Sequence, residues 1–221
     1  MTLTPRLGAG CLLGGSLLGL VSVLLRTTLS ESAGDQVAAL ARHHDAMLAG
    51  MALSTVAVVL WVGGVIWLAL AARFVTPRSA LVGGILGVAG AAAVVFGNGV
   101  TAAAYGVVHG LGDTSAAALL DRAGSAGEIA DPFALLGDLA FIVLAVDVLR
   151  VGVSRWMAAV VAVGAVAEGA GFALGSSAVA VVGFALLFIG LAGVSRTLLR
   201  TSPASAAENL AGGPDRVVAP A

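Results

Sequence analysis

Six apolar stretches, each about as long as a bilayer's hydrocarbon core is thick, leave this chain little choice of architecture. They fall at about 7–25, 51–72, 80–104, 133–149, 156–175 and 177–195. A helix rises about 1.5 Å per residue, so about 20 apolar residues cross a core of about 30 Å. In hydrocarbon, only a segment that satisfies its own backbone hydrogen bonds is stable. The expectation is an all-α fold, a polytopic membrane helix bundle of six transmembrane helices. Composition agrees, with 59% hydrophobic and 10% charged residues in 221, against roughly 45–50% and 25% in soluble chains. The net charge of −1 gives no basic surface for nucleic acid.

The arginines set an orientation. Arg6, Arg73, Arg78, Arg150, Arg155, Arg196 and Arg200 flank the spans on one side, and Arg26, Arg42 and Arg122 on the other. The positive-inside bias then puts both termini in the cytoplasm of a multi-pass protein of a bacterial cytoplasmic (inner) membrane. All basic residues are Arg and none is Lys, the signature of GC-rich coding. Residues 1–200 read as the six-span membrane domain. Residues 201–221, rich in Ala, Ser, Pro and Gly, read as a disordered cytoplasmic tail. The first span is too long for the apolar part of a cleaved signal peptide and is expected to remain. The single Cys11 excludes an intramolecular disulfide, a Cys-based metal site and dithiol redox chemistry.

Two outer loops carry helical patterning. Val37, Leu40, Ala41, His44 and Leu48 recur at helical spacing, which predicts an interfacial helix over about 35–48. A second, shorter one is expected over 113–120, capped by Asp113 or Ser115. Together they would form a partial lid over the outer mouth. Glycines four apart, such as Gly15 with Gly19 and Gly83 with Gly87, read as close helix contacts. Trp61, Trp67, Trp156 and Tyr105 read as interface anchors or packing.

Three acids fall inside predicted spans: Asp138, Asp147 and Glu168. An acid at the bilayer centre costs roughly 2.5–3.5 kcal/mol, so each must face the bundle or a cavity. Asp147 is one turn before Arg150, which predicts an ion pair between them. Counted from the predicted outer helix ends, Asp138, Glu168 and Asn98 come out about 8, 10 and 9 Å deep. They would share one polar layer, with Arg26 reaching down from the rim and Ser22, Ser54 and Thr55 in the same half. The ligand-binding candidates are therefore Asn98, Asp138, Glu168 and Arg26, and the catalytic candidates Asp138 and Glu168. Hydrogen bonds among these groups that only fix helix register are the competing reading.

No metal and no cofactor is expected. His43 and His44 point about 100° apart on a regular helix, and no span holds a His suited to axial haem ligation; His109 lies just past the third. Neither a P-loop, nor paired Asp-rich motifs, nor a Ser–His pair occurs in the spans. The Arg-flanked first span, the long loop after it, the turn at Arg73 to Arg78, Asp131-Pro132-Phe133 before the fourth span and the Ala/Ser/Pro tail resemble six-span actinobacterial integral membrane proteins of unknown function. That resemblance implies the architecture and no particular reaction. The buried acids are also similar in chemistry to those of integral-membrane terpene cyclases. The leading expectation is a protein that binds or moves a small or lipid-like molecule, such as a lipid or isoprenoid, through an outer-facing polar cavity. The alternatives are acid catalysis on an isoprenoid, or a structural or partner-binding membrane subunit.

Overall fold

The computed structural model describes residues 4–26, 29, 33–108 and 110–200. Within these it is helical throughout, with no strand: α1 (Pro5–Leu25), α2 (Ala33–Ala72), α3 (Pro77–Val108), α4 (Asp113–Arg150), α5 (Arg155–Ala173) and α6 (Ser177–Arg200). Five of these, all but α4, are long and apolar enough to cross a membrane. The part of α4 over 133–150 carries Asp138, Asp147 and Arg150 among otherwise mostly apolar residues. The tail at 201–221 and His109 lie outside the described residues.

The interior is mainly apolar, but large apolar side chains also cover the outside. Leu24, Ile85, Val166 and Ile189 are 56–65% exposed along the spans, while Ser16, Ser22, Asp147 and Glu168 are buried. Apolar side chains facing outward suit a lipid solvent, where helices associate through close packing and interhelical polar contacts.

Consecutive helices pack as antiparallel hairpins. α1, α2, α4, α5 and α6 each contact two others of these five, closing a ring, and α3 lies outside it against α2 and α4. Glycine sets the spacing. Along α5 and α6, Gly171 meets Ala180, Gly183 meets Glu168, Gly164 meets Leu187 and Gly190 meets Val161, so at each level one helix gives up its side chain. Gly90 and Gly137 bring α3 and α4 together in the same way. The turns after α4 and α5 are Schellman caps. Gly152 and Gly175 adopt φ of 97° and 61°. The N–H groups of Val153 and Ser176 donate to the carbonyls of Val148 and Gly171 at 3.1 and 2.8 Å. A left-handed residue is needed there, and only glycine adopts it without a steric cost.

Three helices differ from the sequence reading. The interfacial helix over 35–48 and the second span are one 40-residue element, α2, kinked at His43 (φ −142°, ψ 41°). The short helix over 113–120 is the start of α4, whose backbone stays helical for 38 residues. α3 runs on to Val108. The expected separate lid helices are thus extensions of bundle helices, and they share a second core. Leu40 and Met47 of α2, Tyr105 and Val108 of α3, and Ala116 and Leu120 of α4 meet there. The apolar pattern detects the width of the bilayer, whereas a helix supported by neighbours continues past it.

Candidate functional site

The four candidate residues form two clusters. Asp138 of α4 and Glu168 of α5 are neighbours, the Asp138 carboxyl lying against Gly169, the residue after Glu168. Asp138 lies twelve residues from the Arg150 end of α4 and Glu168 thirteen from the Arg155 end of α5. Both are therefore about 18–20 Å from the arginine-rich end of the bundle. Arg26 and Asn98 each lie twenty-one residues from the corresponding starts at Pro5 and Pro77, about 32 Å along. The single polar layer expected from the sequence is thus two layers about 12 Å apart. The miscount arose because depth was measured from apolar boundaries, and α3 and α4 extend beyond them.

The inner pair is held by shape. Glu168 is 8% exposed, and its backbone packs against Gly183 of α6. The Asp138 carboxylate lies across the Cα of Gly169, with Oδ2 where a side chain would begin. Among the described residues no arginine or histidine bonds to either acid. An ionised carboxylate only accepts, so two neighbouring carboxyl groups can hydrogen-bond to each other only when one of them carries a proton. The two acids stand together at mid-depth of the bundle.

Aromatic rings adjoin it. Phe141 is one turn from Asp138 on α4, Phe172 one turn from Glu168 on α5, and Phe184 follows Gly183 on α6. Trp61 of α2 joins them, edge-on to Phe141 at 5.1 Å and stacked on Phe184 at 5.7 Å. Its indole N–H donates to Ser16 Oγ of α1 at 3.2 Å. Trp61 therefore links α1, α2, α4 and α6 across the ring, the packing and not the anchor half of the role read from the sequence. Its position was a usable signal: eleven residues from Ala72, it is far from either interface.

The outer cluster is a chain of donors. Arg26 Nη2 donates to Asn98 Oδ1 at 3.0 Å, and Asn98 Nδ2 donates to Ser54 Oγ at 3.1 Å and Thr55 Oγ1 at 3.3 Å. Thr55 in turn donates to the Met51 carbonyl at 3.0 Å. Gly50 leaves room for the Arg26 stem, since a Cβ there would stand 3.0 Å from Arg26 Cγ.

Asp147 is placed differently from the expectation. It is 2% exposed, and its Oδ1 accepts from Ser79 Oγ of α3 at 2.7 Å, while Arg150 points outward. Its Oδ2 is buried without a hydrogen-bond partner. Packing of α3 on α4 turns this residue inward, away from the helix surface where an i,i+3 ion pair would form. Among the described residues no group of three His, Cys, Asp or Glu side chains could hold a metal.

No protein-family model, curated protein or solved structure matches this chain. The functional reading therefore rests on the site alone.

Proposed function

We propose that this is a six-span protein of a bacterial cytoplasmic membrane, both termini cytoplasmic, that binds or moves a small or lipid-like molecule at the Asp138–Glu168 pair. The observation that carries this is the carboxyl pair itself: two acids side by side at mid-depth with, among the described residues, no arginine or histidine bonded to either. Such a pair is costly in a bilayer, and intramembrane acids mark proton and substrate paths. A register-fixing bond needs only neutral amides or hydroxyls, whereas two acids together provide a proton that can be given up and taken back. α4 crosses as the sixth span because α2, α3 and α5 pack against it and shield its acids from lipid. The inside bias of the other arginines puts the end bearing Arg26 on the outer side.

The aromatic rings beside the acids favour one further reading, acid catalysis on an apolar isoprenoid, because ring faces stabilise a developing cation. Mass spectrometry of small molecules extracted from protein purified in mild detergent tests the binding reading without a guess at the substrate. A compound retained by wild type and lost from Asp138→Asn and Glu168→Gln supports it. Identical extracts from all three refute it. Conversion of the retained compound by wild type, abolished in Glu168→Gln, selects the catalytic reading.

A further inference from the structure

We infer that Arg26, positioned by Asn98, is a binding site for an anionic group, a phosphate or a carboxylate, at the end of the bundle opposite the arginine-rich one. The inference deepens the ligand reading above by naming a charge, and rests on it, but uses residues about 12 Å from the carboxyl pair.

A guanidinium offers five N–H donors and is permanently charged. Here one donor is used, by Asn98 Oδ1. The Nε–H is buried with no hydrogen-bond partner. Among the described residues Arg26 forms no ion pair, and its bonded partner is a neutral amide. A half-buried cation without a counter-charge is unfavourable, and its buried, unmet Nε–H adds to the cost. Natural cores avoid both, so the arrangement calls for a group that supplies negative charge and acceptor oxygens together.

The surroundings are built for that orientation. Ser54 and Thr55 accept both Asn98 amide hydrogens, which turns Oδ1 toward Arg26 and fixes one edge of the guanidinium. Gly50 lets the stem cross α2 without obstruction. Tyr105, 2% exposed, has its hydroxyl bonded to Gln36 Oε1 at 3.4 Å and so adds no charge to balance Arg26. The remaining fork of Arg26 matches the paired oxygens of a phosphate or carboxylate. At about 32 Å from the arginine-rich end, it sits where the hydrocarbon core meets headgroups. A lipid headgroup or a free anion could supply the charge.

The test uses the full-length protein in neutral detergent, titrated separately with inorganic phosphate, with dioctanoyl phosphatidylglycerol and with dioctanoylglycerol, which lacks the phosphate. Thermal midpoint and native mass spectrometry are the readouts. Wild type is expected to show a saturable upward shift with one equivalent of an anion and none with dioctanoylglycerol. Saturation by phosphate alone identifies a free anion as sufficient; saturation only by phosphatidylglycerol identifies a headgroup. Arg26→Gln is expected to weaken binding at least ten-fold. Asn98→Asp, nearly isosteric, places a carboxylate on Arg26 and is expected to raise the unliganded midpoint while abolishing the anion response. That second variant keeps the question answerable if Arg26→Gln fails to fold. Equal binding of the anionic and uncharged lipids, or an undiminished response in Asn98→Asp, overturns the inference. Loss of anion binding in these variants with unchanged extracts from Asp138→Asn and Glu168→Gln would leave the anion site standing and remove the carboxyl-pair reading.

Discussion

Replacing Gly169 by alanine separates the carboxyl pair without touching either acid. A Cβ at that position would stand 2.5 Å from Asp138 Oδ2 and 3.5 Å from its Cγ. Non-bonded carbons settle at about 3.5–4.0 Å and oxygens slightly closer, so the carboxyl must move by about 1 Å. An O–H···O bond spans about 2.5–3.0 Å, and stretching it by about 1 Å breaks it. Interhelical polar bonds in membranes contribute about 1–2 kcal/mol at most. Gly169→Ala should therefore lower stability by about that amount, a drop of about 2–8 °C in the midpoint for a chain this size. The assay is a double-mutant cycle by thermal unfolding in detergent: Gly169→Ala alone, Asp138→Ala alone, and both. With Asp138 truncated the added methyl has nothing to displace, so its cost should vanish. An equal cost in both backgrounds would refute the reasoning, because the alanine would then act on packing and not on the pair.

Other glycines should respond according to what faces them. Gly164→Ala puts a Cβ 2.7 Å from the Leu187 backbone nitrogen and should destabilise by about 1–3 kcal/mol, whereas Gly97→Ala meets nothing within 4 Å and should be neutral or gain up to about 1 kcal/mol, both read by thermal unfolding. Ser79→Ala removes the hydrogen bond to Asp147 Oδ1, leaving a buried carboxylate whose Oδ2 has no partner either, and should cost about 1–3 kcal/mol in the same assay. For topology, in a Cys11→Ala background, Ser115→Cys should react with an impermeant maleimide on intact cells and Phe74→Cys only after permeabilisation; both positions are exposed at opposite ends of the bundle, and the reverse pattern would invert the orientation.

Five membrane helices were legible because hydrocarbon imposes a length and a composition that a hydropathy pattern records directly. What was not legible lies in two physical gaps. Helix ends are set by caps and by neighbouring helices, so α2, α3 and α4 run past the apolar boundaries, and the depth of Asn98 relative to Asp138 was misjudged. Rotation is set by which residues are small. Asp138 faces Glu168 because Gly169 and Gly183 let α4 and α6 close on α5, and no periodicity in a single span reveals that. The same blindness to rotation assigned Asp147 to Arg150 when packing turns it to Ser79. Arg26 with Asn98 was readable as a pair of polar groups near one rim, but their contact depends on Gly50, whose role emerges only when α1 and α2 are packed.

The most direct measurement is isotope-edited infrared difference spectroscopy of the carbonyl stretch of a protonated carboxyl at neutral pH, comparing wild type with the Asp138→Asn/Glu168→Gln double variant. A shared proton predicts a protonated-carboxyl band in wild type that is absent from the double variant. The same spectrum from both proteins would contradict it, and with it the proposal that the centre of this bundle holds a proton for a ligand.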